Sequence, residues 1–291
     1  MKNADFKRIY SLFKEKFDAY SEEVFLSVKS KSNLADAMKY SFTAGGKRVR
    51  PVLMLYFADL LGVEESEIMP FAFSLECLHT YSLIHDDLPA LDNDTLRRGK
   101  PTSHVKFGEA TAILAGDALL NFAFEHALYH CDNKNKISAL SYLAACSGYG
   151  GMLEGQSLDI KYEKSPDITE EVLFDIIERK TAKFIEAATV IPAILSGREI
   201  FPYEEFGRNF GRLFQFCDDL SDVISTKEKM GKSIGKDDLE DKPSAVKVYG
   251  ADSLKDKIQN LANTCKSIAN NLDKSGFLQC FTDYVIGNEK A

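Results

Sequence analysis

The chain of 291 residues carries 36 Lys and Arg against 44 Asp and Glu, a formal charge of −8, and is 45 % apolar and 27 % charged. That balance describes a globular protein with material for a large core, and its acidity argues against nucleic acid as a main partner. Its six scattered cysteines form no C-x-x-C pair and read as reduced thiols of a cytoplasmic protein, not as a disulfide framework.

The first predicted helix places Phe6, Ile9, Tyr10 and Phe13 on one stripe, with Lys7, Lys14 and Glu15 off it. Acids and bases mix through its first turns, so no signal peptide is expected. The same recurrence at three and four residues predicts helices over 51–61, 69–84, 110–129, 136–153, 169–191, 204–224 and 251–272. The longest uncharged stretch, 137–153, holds three Ser, three Gly and two Tyr and is not expected to span a membrane. No alternating run bounded by turn pairs predicts a strand. Breaks fall at 43–50, 97–104, 162–166, 197–202 and 229–243, none of them a long Gly/Ser or Pro-rich linker. The expectation is an all-α fold in one large helical domain.

Two compact basic clusters interrupt this acidic chain, Gly-Gly-Lys-Arg-Val-Arg at 45–50 and Arg-Arg-Gly-Lys at 97–100. Each could be a solvated face or an anion site, since Gly exposes backbone N–H groups while Lys and Arg supply charge and forked donors. Two acidic knots follow long apolar helices: His-Asp-Asp-Leu-Pro-Ala-Leu-Asp-Asn-Asp at 85–94 and Phe-Gln-Phe-Cys-Asp-Asp-Leu-Ser-Asp at 214–222. Asp218 and Asp222 are four apart, roughly 40° around a helix, so their carboxylates share a face. Asp86 and Asp92, six apart, would diverge by about 120° on a straight helix. Pro89 kinks or ends the helix there and lets Asp92 swing back.

The aspartates could instead cap helices or pair with Arg97 and Arg98. Crowded carboxylates repel, however, and two such knots point to a hard cation. An oxygen-only donor set favours Mg²⁺ over Zn²⁺, and Mg²⁺ completes its shell with water and phosphates. His85 reads better as a packing or outer residue than as a ligand. Acidic knots and basic clusters together describe a site for Mg²⁺–diphosphate.

Six motifs in order carry a family resemblance: GGKRVRP (45–51), LECLHTYSLIHDDLPALDNDTLRRGKPTSH (75–104), GQSLDI (155–160), KTAKFIEAA (180–188), FQFCDDLSD (214–222) and GKSIGKD (231–237). The chain resembles the trans-isoprenyl diphosphate synthases, of the short-chain bacterial farnesyl diphosphate synthase type. The resemblance implies an all-α bundle around a central cavity, usually a homodimer. It also implies Mg²⁺, as three ions bridged by the substrate diphosphate. Lys47, Arg50, His79 and Arg98 match contacts to the diphosphate of isopentenyl diphosphate. Asp86, Asp92 and Asp218 match Mg²⁺ ligands, with Asp87, Asp219 and Asp222 supporting them. Arg97, Lys180, Lys232 and Lys242 match contacts to the allylic diphosphate, and Thr181 and Gln215 match oxygens facing the developing cation, with Phe214 a possible aromatic face.

Departures from the family pattern are Thr95 in place of a further Asp, Pro243-Ser244-Ala245 after Lys242, and a C-terminus without the Arg many relatives carry. The implied reaction is condensation of isopentenyl diphosphate with C5 and C10 allylic diphosphates to farnesyl diphosphate. Tyr81, five residues before Asp86, and Ser82, four before it, are the candidate chain-length residues. A smaller floor would make the C20 geranylgeranyl product instead. A class I terpene cyclase would need Glu eight residues after Asp218, where Thr226 stands. A non-catalytic partner subunit would have lost aspartates that are all present.

Overall fold

The computed structural model describes residues 1–163, 165, 168–229 and 243–287. Two compact units divide the chain, one of 8–144 and 191–198, the other of 1–7, 145–190 and 199–291.

The first unit is built on α1 (Asn3–Ser27), α2 (Leu34–Phe42), α3 (Val49–Leu61), α4 (Glu65–Asp86), α5 (Ser103–Phe107), α6 (Glu109–Tyr129) and most of α7 (Lys134–Ser147). Helices α3 and α4 are apolar nearly all round: every residue of 52–58 and 68–78 is buried. A helix with no polar face has to lie inside, and the amphipathic helices cover these two. Phe25, Phe42 and Phe73 form the aromatic centre, with Phe42 ring centroids 5.1 Å from both Phe25 and Phe73. Gly62 ends α3 in the left-handed conformation that a side chain would resist.

Among the described residues the strands are confined to one hairpin. β1 (Leu96–Arg97) pairs antiparallel with β2 (Lys100–Pro101) through a two-residue turn, Arg98 at φ 54° and Gly99 at φ 74°. Positive φ at both central residues matches the twist of the strands, but Arg98 gives no such signal in sequence. The expectation of no strand is therefore corrected by these two short strands, while the all-α class stands.

In the second unit run α8 (Met152–Tyr162), α9 (Glu170–Ile177), α10 (Lys183–Leu195, whose last turn belongs to the first unit), α11 (Phe201–Lys229), α12 (Ala245–Tyr249), α13 (Ala251–Leu272) and α14 (Phe277–Ile286). Its core is aromatic: Phe6 lies 5.0 Å from Phe277, Phe210 lies 5.4 Å from Phe281, and all four are essentially fully buried. Two predicted helices are broken. The 136–153 helix ends at Ser147 and restarts at Met152, because Gly148, Gly150 and Gly151 turn the chain between them; a Cβ on Gly151 would meet the Cys146 carbonyl oxygen at 2.1 Å. The 169–191 helix contains a π-turn at Glu178–Ala182. Four of the six cysteines, Cys77, Cys146, Cys217 and Cys265, are buried. Among the described residues no helix is long and apolar enough to cross a membrane.

Candidate active site

The first unit brings the two basic clusters together. Lys47 is exposed at the start of α3, and its carbonyl accepts a hydrogen bond from Tyr10 at 2.5 Å. Arg50 Nη1 stands 3.5 Å from His79 Nε2 on α4. Arg98, at the hairpin tip, donates through Nη1 to the Gly45 carbonyl, and its guanidinium lies against Gly46, where a Cβ would come within 2.7 Å of it. Burial, then Arg50, Arg98, Arg97 and Arg48 in turn, hold the His79 pKa well below 6.5, so the ring is neutral. An electropositive surface with a neutral imidazole among its donors suits a phosphate anion.

Asp86 ends α4. The chain turns at Pro89, beyond the helix rather than within it, and the Asp92 N–H returns to the Asp86 carbonyl at 2.8 Å. The six-residue spacing is thus folded back as the proline requires. Asp87 differs from its neighbours. It is 3 % exposed and accepts from Arg97 at 2.7 Å (Nε) and 2.6 Å (Nη2). Burial raises its pKa, Arg97 works against that, and Asp94 and Asp92 add to it. Asp87 is an arginine partner in this structure, whereas Asp86 is half-buried and Asp92 exposed.

The second unit holds the remaining described candidates on α8, the π-turn and α11. Gly155 lets α8 approach so closely that a Cβ would lie 2.3 Å from the Lys180 nitrogen. One turn on, Asp159 pairs with the Lys180 ammonium. Gly211 brings α11 equally close to Ala182. One turn on again, Gln215 Oε1 accepts from Thr181 Oγ1 at 2.6 Å, and Gln215 Nε2 donates to Asp219 Oδ1 at 2.7 Å. The Ala245 N–H donates to Asp219 Oδ2 at 2.7 Å, so both oxygens of that carboxylate are held. Burial raises the Asp219 pKa to about 6, Ala245 and Gln215 oppose the rise, and Asp218 and Asp222 add to it. Asp218 and Asp222 are exposed on one face of α11.

Because Thr181 gives its only hydroxyl proton to Gln215, its lone pairs are left as acceptors. Asp219 orients the amide so that oxygen, not nitrogen, meets Thr181. This is an oxygen-lined surface, suited to positive charge. Lys232 and Lys242 lie outside the described residues. Sequence reasoning missed Asp159, although it stands in the GQSLDI motif four residues after Gly155. It also missed Arg48, Glu76 and the Ala245 amide, the last of which no side-chain pattern could announce.

Among the described residues no group of three or more His, Cys, Asp or Glu side chains forms a ready metal cage. Paired exposed carboxylates still fit Mg²⁺, which takes one or two carboxylates and fills its shell with water and substrate phosphates. Paired aspartates and clustered arginines suit the binding of diphosphates.

Comparison with known proteins makes this specific. The family model described as Polyprenyl synthetase matches residues 31–278. A farnesyl diphosphate synthase of Micrococcus luteus is 42 % identical over 247 residues, covering 82 % of this chain and 84 % of that protein. The chloroplastic geranylgeranyl pyrophosphate synthase 7 of Arabidopsis thaliana is 42 % identical over 257 residues, covering 86 % and 74 %. Among solved structures, a geranyltransferase from Helicobacter pylori complexed with magnesium and isoprenyl diphosphate matches with a TM-score of 0.83 at 32 % identity, over 99 % of this chain and 97 % of that one. The chain belongs to the polyprenyl synthetase family, the trans-isoprenyl diphosphate synthases, and is a prenyl-transferring enzyme.

Proposed function

We propose that the two units act together as one synthase domain that condenses isopentenyl diphosphate with C5 and C10 allylic diphosphates to farnesyl diphosphate. Lys47, Arg50, His79 and Arg98 bind the isopentenyl diphosphate headgroup. Asp86, Asp92 and Asp218, with Asp87 and Asp222 in support, are the Mg²⁺ carboxylates, a role the magnesium-bound Helicobacter pylori relative supports. Bound Mg²⁺ supplies Lewis-acid stabilisation of the departing diphosphate. Arg97, Lys180, Lys232 and Lys242 hold the allylic diphosphate and share its growing charge. Thr181 and Gln215 face the allylic cation with oxygen. The isopentenyl alkene then attacks, and the proton it loses goes to the departing diphosphate. No side-chain nucleophile takes part.

Product length rests on one observation. Tyr81 is 3 % exposed in the helix that ends at Asp86, more than one turn before it, while Ser82 turns its hydroxyl to the His79 carbonyl at 2.9 Å. A tail extending from Asp86 along α4 meets a ring, which stops it at C15. A C20 product is the second reading, favoured by the Arabidopsis thaliana geranylgeranyl pyrophosphate synthase at the same identity as the Micrococcus luteus enzyme. The deciding experiment incubates purified protein with Mg²⁺, isopentenyl diphosphate and C5, C10 or C15 allylic diphosphates, then chromatographs the dephosphorylated products. Farnesol from C5 and C10, with little elongation of C15, is expected; geranylgeraniol as the main product would overturn the C15 assignment. Six scattered cysteines, four of them buried, support a cytoplasmic setting, and the outward apolar residues Ile113, Leu114 and Leu128 on α6 support a homodimer.

A further inference from the structure

Lys47 and Arg50 flank an arginine that points the other way. Arg48 is 6 % exposed beside an exposed Lys47, and its backbone sits at φ 55° and ψ 36°, a left-handed conformation unusual for a residue with a side chain. Its guanidinium reaches three separate elements. Nη1 donates to Glu76 on α4 at 2.7 Å, Nε donates to Asp18 on α1 at 3.1 Å, and Nη2 donates to the carbonyl of Phe42, the last residue of α2, at 2.8 Å. The same plane lies over the rings of Phe42 and Phe17, 5.1 and 5.6 Å from their centroids. Glu76 is itself 3 % exposed.

Neither charge nor stability accounts for this arrangement. Glu76 alone offsets the Arg48 charge, and Asp18 is shared between Arg48 and Lys14, so Arg48 adds little to the field that attracts an anion. Two apolar residues of matching shape usually stabilise a core as well as a buried ion pair does. What a planar fork with directed N–H groups supplies, and an apolar pair does not, is direction. The loop is fixed nearby as well, with Tyr10 on the Lys47 carbonyl and Arg98 on that of Gly45.

We propose that Arg48 is the positioning residue of the basic loop: clamped by Glu76, Asp18 and the Phe42 carbonyl, it holds the left-handed turn that sets where Lys47 and Arg50 stand for the homoallylic diphosphate. This rests on the assignment of that loop to isopentenyl diphosphate made above. Arg48 touches no substrate and acts through its neighbours.

The test is steady-state kinetics with isopentenyl and geranyl diphosphates varied separately, on R48M/E76L, R48K, E76Q and K47A, with thermal melting followed by circular dichroism. R48M/E76L should melt cooperatively and show a KM for isopentenyl diphosphate raised about tenfold, with kcat and the allylic KM within about threefold of wild type. R48K should not restore the KM, because an ammonium keeps the charge but lacks the fork. E76Q, which keeps an acceptor of the same shape, should raise it less than R48K. The proposal is overturned by a folded R48M/E76L with an unchanged KM for isopentenyl diphosphate, or by equal rises for both substrates. Should R48M/E76L not fold, a wild-type KM in R48K overturns it equally. K47A separates the two levels. An unchanged KM there removes the loop's assignment to isopentenyl diphosphate, whereas a raised KM in K47A with none in R48M/E76L or R48K removes only the positioning role.

Discussion

The Tyr81 hydroxyl is buried and has no hydrogen-bond partner among the described residues, and its pKa is pushed up to about 12 by burial and then by Asp86. An unsatisfied buried hydroxyl costs stability, so this residue is explained by the bulk of its ring. Tyr81→Phe should therefore keep farnesyl diphosphate as product and hold or raise Tm. Tyr81→Ala should lengthen the product by roughly one five-carbon unit and cost about 3–5 kcal/mol, as deletion of a core aromatic does. Product chromatography and urea unfolding of both variants check this; a folded Tyr81→Ala enzyme that still stops at C15 contradicts the floor. Arg97 carries two duties in the reading above. Arg97→Ala should raise the allylic KM and lower kcat, and it should also destabilise the fold, because Asp87 would remain buried without its cation. Rate constants and a denaturation curve on the same preparation separate these two losses.

Elements position the residues through close approach. On α11 the residues Gly207, Gly211, Gln215 and Asp219 recur every four positions, so one face packs backbone to backbone for two turns and then delivers an amide and a carboxylate. Gly155 and Asp159 repeat the device on α8. A Cβ at Gly211 would stand 2.5 Å from Ala182 Cα, where the contact is main chain and cannot rotate away. Gly211→Ala should thus cost about 1–3 kcal/mol and lower kcat more than either KM, by shifting Gln215 off Thr181. Wild-type kcat in a folded Gly211→Ala enzyme would count against this. Most helices were legible because apolar stripes at helical spacing leave little else to bury. The i,i+4 pair Asp218 and Asp222, and the return of Asp92 at Pro89, were legible for the same geometric reason. The π-turn and the left-handed Arg48 and Arg98 were not, because packing from other elements imposes them and the local residue types carry no mark of it. Asp87 shows the limit most plainly: as a letter it equals Asp86, and only burial beside Arg97 tells them apart.

At the scale of the whole molecule, stability should depend on pH through His126. Its ring lies 4.9 Å from Phe73 and Nε2 is 2.8 Å from the Tyr20 hydroxyl; burial, then His130, lowers its pKa to about 4. The unfolded chain takes up this proton near pH 6.5 and the folded chain only near 4. Each step downward across that window therefore favours unfolding: the contribution is complete above about 6.5 and lost as pH falls toward 4. Wild type should lose roughly 1–2 kcal/mol more than His126→Gln between pH 7 and 4.5, read from urea midpoints; parallel profiles would sink the assignment. Metal removal acts on another quantity. With EDTA, condensation should fall by orders of magnitude while the melting curve stays cooperative, since Asp92, Asp218 and Asp222 are exposed and the aromatic cores need no ion. Activity near normal in metal-free buffer would contradict the Mg²⁺ assignment.

The π-turn at Glu178–Ala182 has a further consequence. A π-turn accommodates one extra residue while the helix on either side keeps its packing, so 170–195 is a helix whose phase slips by about 100° within five residues. Lys180 and Thr181 stand inside that slip and face where an unbroken helix would not aim them. On the roles proposed for these two residues, removing one residue from this turn should leave the flanking cores intact and Tm unchanged or higher, yet lower kcat sharply by swinging the lysine and threonine away. A gain in order here is a loss of chemistry, and the irregularity is the part of the helix that a stability-driven redesign would erase first.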